Sequence, residues 1–151
     1  MRARPLGHIT LALLTLAVGA ACESLSPIEP GPDTGPLTAY IDGEAFVAET
    51  ATSSILPTGI VVRAEQGDRV IRFEVTNRGP SNYLVGQGNP VSAEVRIGSD
   101  VWVAEGEVGS GTISITDVFP SFVSGQFDLQ LVRPVDENEI EVTLGRFVII
   151  G

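Results

Sequence analysis

Lysine is absent from this chain of 151 residues, and histidine, cysteine and methionine occur once each, as His8, Cys22 and Met1. None of the three lies beyond Cys22, so whatever follows that position has no imidazole, no ammonium side chain and no further thiol. Each absence removes a chemistry. Ser-His-Asp and Cys-His nucleophile systems need an imidazole, and Schiff-base catalysis needs a lysine. A P-loop needs its lysine, and the chain carries no Gly-x-Ser-x-Gly elbow. Zinc and other metals that favour imidazole or thiolate lack ligands here. Redox cysteine chemistry is excluded by the same count. Helical patterning is missing as well: beyond Leu37 no stretch of helical length keeps an i, i+3, i+4, i+7 apolar face without a Gly or Pro interruption.

Negative charge is abundant. Beyond Cys22 there are seven Arg against 19 Asp and Glu, a net −12. Such a domain repels phosphate backbones, so no nucleic-acid partner is expected. By charge alone it is equally unsuited to an anionic lipid surface. The acidity serves solubility. The length suits one domain. A composition of 43 % hydrophobic and 19 % charged residues is that of a globular chain.

The opening segment, MRARPLGHITLALLTLAVGAAC, has three parts. Arg2 and Arg4 make a positive start, Ile9 to Ala21 form an uncharged, mostly apolar core, and Gly19, Ala20 and Ala21 close it. This is the pattern of a secretory signal peptide over residues 1–21. A membrane span needs roughly 20 apolar residues, more than this core offers. Cys22 follows the small residues directly. The arrangement resembles the lipobox of bacterial lipoproteins, where the chain is cut before a Cys that carries a diacylglyceryl group; Gly19 stands where such motifs usually place Leu. The resemblance implies a lipid anchor on Cys22. Ordinary cleavage after Ala21, leaving a free thiol, is the alternative. Glu23 to Pro36 include four Pro and two Gly, so 22–36 reads as a lipidated Cys and a tether. Extended, the tether reaches on the order of 40 Å.

From Leu37 to Gly151 the period is two. Val123, Phe127, Leu129 and Leu131 alternate with Ser124, Gln126, Asp128 and Gln130. Val91–Ile97, Ile71–Val75 and Thr112–Thr116 alternate in the same way. One dry face and one wet face describe an antiparallel sheet packed on a core. Turn signals recur about every ten residues. Asp42-Gly43 is the strongest hairpin signal, because both residues tolerate positive φ. In the last segment Ile140, Val142 and Leu144 are even, whereas Phe147 and Ile149 are odd, which predicts a β-bulge at Gly145-Arg146. The expectation is an all-β domain, an antiparallel meander-rich barrel or sandwich of about nine or ten strands over residues 37–151.

Three segments carry a family resemblance. Ala39-Tyr40-Ile41-Asp42-Gly43-Glu44-Ala45-Phe46 opens the domain, Gly111-Thr112-Ile113-Ser114-Ile115-Thr116 lies mid-chain, and Ser124-Gly125-Gln126-Phe127-Asp128-Leu129 with Thr143-Leu144-Gly145-Arg146-Phe147 closes it. Their order and spacing resemble bacterial lipoproteins of the DUF6252 type, a family of unknown function. The resemblance implies an anchored all-β fold and brings no catalytic or ligand residue with it.

Carboxylates are the reactive groups left. Glycoside hydrolysis needs two at roughly 5–9.5 Å. The pairs considered are Glu105 with Glu107, read as sharing one strand face, and Asp117 with Asp128. Asp136-Glu137-Asn138-Glu139 groups oxygen ligands, which makes Asp136 and Asn138 calcium candidates. Ile140 stands where a further ligand would be needed, so a solvated acidic turn is preferred and no metal is assigned. Trp102, Tyr40 and Tyr83 are the candidate ligand contacts. Trp102 is out of phase with Val101 and Val103, which predicts it on the polar face.

The sequence therefore reads as a noncatalytic envelope lipoprotein module without a cofactor. It acts by binding or by structural presence, facing the periplasm or the cell surface. Its partners are the membrane, through the lipid, and an unidentified envelope protein or small ligand. One alternative is a lipocalin-like barrel carrying a small apolar ligand. A carboxylate-based glycosidase ranks below it.

Overall fold

The computed structural model describes residues 34–151; the signal-like leader, Cys22 and nearly all of the Pro/Gly-rich segment lie outside the described residues. Eleven strands follow one another among these described residues: β1 (Leu37–Ile41), β2 (Glu44–Val47), β3 (Thr50–Leu56), β4 (Gly59–Gln66), β5 (Arg69–Val75), β6 (Ser81–Gly86), β7 (Asn89–Ile97), β8 (Asp100–Gly106), β9 (Ser110–Phe119), β10 (Phe122–Val132) and β11 (Glu139–Ile150). Among the described residues there is no helix. The fold is all-β and wholly antiparallel, with one sheet ordered β2-β1-β11-β10-β8-β7-β5-β4-β3 and a branch in which β9 joins β10 to β6.

Two of the eleven strands leave little trace in the sequence. β3, Thr-Ala-Thr-Ser-Ser-Ile-Leu, buries no side chain fully, so it has no apolar alternation to reveal it. β6 buries only Val85 and Gly86. That is why about nine or ten were expected.

The sheet curls into a half-barrel. Its two end strands, β2 and β3, are consecutive in the chain, separated only by Ala48 and Glu49. The chain bends there, so β2 pairs with β1 while β3 pairs with β4. β10 is shared in a similar way. One edge pairs along its length with β11; the other pairs with β9 from Phe122 to Gln130 and with β8 only through Val132 and Val103.

The curl brings distant strands face to face. Phe73 of β5 meets Phe127 of β10 and Phe147 of β11 at ring-centroid distances of 5.4 and 5.3 Å. The rings are tilted, as aromatic quadrupoles prefer. Val123, Phe127, Leu129 and Leu131, the dry face read from the sequence, are all buried. In a carrier they would line a cavity; here Phe127 is packed into the aromatic cluster.

β10 and β11 hold each other by reciprocal Gly–Phe pairs. Gly125 is opposite Phe147, and Phe127 is opposite Gly145. A Cβ built on Gly125 would lie 2.6 Å from Phe147 Cζ, and one on Gly145 2.6 Å from two carbons of the Phe127 ring. Each glycine is thus the floor on which the opposite ring lies. The predicted bulge exists, but one or two residues earlier. Thr143 and Leu144 together oppose Asp128, and the pairing with β1 shifts at the same place. Leu144 has φ +52°, and its N–H donates to Asp128 Oδ1 at 3.0 Å. The extra residue turns Gly145 and Phe147 inward after Val142, which is the observed change of phase.

The turns separate two ends. Asp42-Gly43, with φ of +47° and +80°, closes β1 onto β2 at one end. Gly67-Asp68, Gly98-Ser99 and the 133–138 loop gather beside it: Gly98 N–H donates to Asp68 O, Asp42 N–H to Glu141 O, and Arg133 pairs with Asp100. At the other end lie Pro36, the Pro120-Ser121 turn and the β5–β6 loop. Val148 N–H donates to Pro36 O and Gly151 N–H to Ser121 O, both at 2.9 Å.

Candidate functional site

Trp102 does not lie on the polar face. It is 7 % exposed and points into the core with Ala104, while Val101 and Val103 are half-buried on the outside. Register decides this. Trp102 pairs with Val95, and Ala104 with Ala93, and both partners are core residues.

The loop between β10 and β11 closes over the tryptophan. Arg133 lies with its guanidinium carbon 5.2 Å from the ring centroid. Its Nε and Nη2 donate to the two oxygens of Asp136 at 2.8 and 2.6 Å, and its Nη1 pairs with Asp100 at 3.0 Å. Asn138 Oδ1 accepts from Trp102 Nε1 at 3.2 Å. The planar guanidinium thus satisfies one carboxylate with a two-toothed grip and places its charge over an aromatic face. The hydrogen bonds from Arg133 hold the Asp136 carboxyl below its ordinary range, and those to Asp136 hold the guanidinium above its own. Both calcium candidates are therefore engaged: Asp136 by Arg133, Asn138 by Trp102. Among the described residues no group of three or more His, Cys, Asp or Glu side chains is arranged to hold a metal.

The two tyrosines stand elsewhere. Tyr83, on β6, donates from its hydroxyl to Gly79 O at 2.6 Å, and burial raises its pKa. Tyr40 is half-buried on β1, opposite Ala45 and Thr143. Trp102, Tyr40 and Tyr83 sit on three separate strands and do not converge.

The carboxylate pairs fare similarly. Glu105 and Glu107 do not share a strand face. β8 ends at Gly106, and Glu105 closes a tight turn with Val108 through two backbone hydrogen bonds of 2.9 Å, leaving Glu107 in the turn. Gly106, at φ +55°, permits that turn. Asp117 and Asp128 do share the outer face of the β9–β10 pair, but Asp117 stands at the register of Ser124. The run from Ser124 to Asp128 along a strand is roughly 13 Å, beyond the separation that hydrolysis uses. Asp117 accepts from Ser124 Oγ at 2.8 Å.

An open groove of about 640 Å³ runs over the bulge, lined by Asp42, Asp128, Glu139 and Glu141 among others. Three of these acids have structural duties. Asp42 accepts from Glu141 N–H at 2.8 Å, Asp128 from Leu144 N–H, and Glu139 from Gln130 at 2.9 Å. The groove is the outer wall of the bulge.

A feature the sequence reading missed lies at the opposite end. Phe119, Val148 and Ile150 are 59, 53 and 79 % exposed. Phe119 and Phe122 stack across the β9–β10 turn at 6.1 Å, and Phe122 pairs with Ile150. A second groove, of about 490 Å³, is lined by Ile55, Arg78, Val118, Phe119 and Pro120. The signal was present in Phe147-Val148-Ile149-Ile150, which is apolar in both phases, although a half-wet strand needs only one.

The profile of a family described as Domain of unknown function (DUF6252) matches residues 33–151. The chain belongs to the DUF6252 family. Among curated proteins and among solved structures, none matches it. The family's description assigns no activity. Each segment that carried the resemblance has a structural task in this fold: Asp42-Gly43 makes the first turn, Gly111–Thr116 runs along β9, and Gly125, Phe127, Gly145 and Phe147 form the reciprocal pairs.

Proposed function

We propose that the chain is a noncatalytic lipoprotein module of the bacterial envelope, exported by residues 1–21, anchored by a lipid on Cys22 and acting by binding or by structural presence. The observation that carries this reading is where the domain begins. The family match starts at residue 33 and the first strand among the described residues at Leu37, so the signal-like leader and the Cys precede the matched region and the Pro/Gly-rich segment leads into it. That order is what a tethered lipoprotein requires. Chemistry agrees with it: a domain without His, Lys or a second Cys has carboxylates as its main acid–base groups, and Asp42, Asp128 and Asp136 are committed to a turn, the bulge and Arg133.

The test is the mass of the protein purified from membranes of a bacterial host. A mature chain beginning at Cys22 and heavier by a diacylglyceryl group supports the reading. A chain with an unmodified Cys22 in the soluble fraction overturns the anchoring. Native spectra of the same sample address the binding partner: a small molecule retained only under native conditions makes the domain a carrier, the second role considered above.

A further inference from the structure

We infer that the end of the half-barrel where the tether joins is a lipid-contacting face, on which Phe119, Phe122, Val148 and Ile150 rest against the bilayer that holds Cys22. The inference builds on the lipid-anchored reading and adds an orientation to it. Among the described residues seven large hydrophobic side chains are well exposed, and four of them, Leu56, Phe119, Val148 and Ile150, belong to this end. Phe122 joins them through its stacking on Phe119 and its pairing with Ile150. A contiguous apolar patch of this kind marks a surface that is covered in use.

Two observations identify the cover. The first is position. Pro36, the last residue before β1, is hydrogen-bonded through its carbonyl to Val148 N–H, so the tether meets the domain at a residue of the patch. Only Glu23 to Pro36 lie between Cys22 and Leu37, a reach on the order of 40 Å when extended. The second is charge. Asp42, Glu44, Asp68, Asp100, Asp136 and Glu137 lie at the far end, where Arg69 and Arg133 offset part of their charge. At the tethered end Arg78 lines the Phe119 groove, and Asp117 is hydrogen-bonded to Ser124. An anionic membrane surface repels the far end and tolerates this one, so the domain's acidity orients it. The other three exposed hydrophobic side chains, Leu84 on β6, Val108 in the β8–β9 turn and Val135 in the 133–138 loop, stand apart from one another and form no second patch with this one.

The experiment places an environment-sensitive fluorophore on a single cysteine, at Ser121→Cys in the patch-side turn or at Asp68→Cys at the far end, both exposed positions. Full-length chain is prepared in two ways: lipidated in its host, and as a Cys22→Ser chain whose leader is replaced by a hexahistidine tag. The tagged chain is captured on vesicles containing a nickel-chelating lipid. The vesicles are phosphatidylethanolamine and phosphatidylglycerol with a nitroxide on the acyl chains. The expected result is a blue shift and loss of emission for the Ser121→Cys label, with the Asp68→Cys label unchanged. Adding Phe119→Ser and Ile150→Ser should restore the aqueous emission. Equal aqueous emission at both sites overturns the inference, as does quenching of the Asp68→Cys label instead. So does a blue shift at Ser121→Cys in solution without vesicles and with a doubled mass, because a second copy would then cover the patch. An unmodified Cys22 together with quenching on captured chains removes the natural anchor but leaves the docking face standing. A lipidated Cys22 without quenching does the reverse.

Discussion

Gly145→Ala tests the reciprocal Gly–Phe packing directly. The added Cβ would sit 2.6 Å from Cδ2 and Cε2 of Phe127 and 2.6 Å from its carbonyl oxygen. The ring has nowhere to retreat, because Phe127 is 1 % exposed and touches both Phe73 and Phe147. The carbonyl belongs to the paired strand and moves only with it. Overpacking of a core costs about 1–3 kcal/mol, and a clash that includes backbone belongs at the upper end, about 3 kcal/mol. For a domain of this size roughly 4 °C accompanies each kcal/mol, so Tm falls by about 12 °C. The comparison is Gly43→Ala, where nothing lies within 4 Å of the added Cβ but φ is +80°. That substitution suffers only the left-handed backbone penalty, about 1–2 kcal/mol. Urea unfolding followed through Trp102, the single tryptophan, reads both variants with one probe. A midpoint for Gly145→Ala equal to or above that of Gly43→Ala refutes the argument that these rings lie on glycine floors.

Phe73→Ala removes the ring that bridges β5 to β10 and β11 and should cost about 3–5 kcal/mol in the same unfolding assay. Asp128→Ala withdraws the acceptor of Leu144 N–H at the bulge; it should destabilise by about 1–2 kcal/mol, and Asp128→Asn, which keeps an oxygen, by less. The Arg133–Asp136 pair predicts an acid dependence. The Asp136 pKa is lower in the folded chain than in the unfolded one, so its contribution is fully present above the ordinary carboxylate range and is lost as pH falls through the depressed value. Trp102 emission should shift red in the same acid window as the loop loosens, and Asp136→Asn should show that shift already at neutral pH.

Strand positions are legible in the sequence wherever one face is buried. β5, β7, β9 and β10 read to within three residues of their observed bounds, because their side chains alternate between core and water. β3 is illegible for the same reason inverted: with no fully buried side chain, it has no dry face to alternate. The bulge is visible as a change of phase but not as a place. Phase shows that one residue is extra somewhere between Val142 and Phe147; the acceptor that fixes it at Thr143–Leu144 is Asp128, on another strand. Trp102 misleads on a different ground. Val101-Trp102-Val103 is apolar in both phases, and only the pairing with Val95 says which face is inside. The apolar end escapes notice because it forms when the β9–β10 turn, the last residues of β11 and Pro36 meet, and no local pattern contains all three.

The distribution of recognisable residues bears on function. The segments that mark family membership build turns, bulge and core. A Gly at 125 or 145 is required because a ring lies on it, and an Asp at 42 because it both turns the chain and accepts from Glu141 N–H. Residues under such constraint specify the fold and are committed before any ligand is considered. What the fold leaves uncommitted is its surface, and that surface is uneven: acidic at one end, apolar at the other, with the segment that precedes β1 joined to the apolar end. In a domain whose motifs are structural, the asymmetry of the surface is the feature most directly available to function. On the lipid-anchored reading proposed above, orientation on the membrane is the first property such an asymmetry confers, and a partner above the membrane would meet the acidic end.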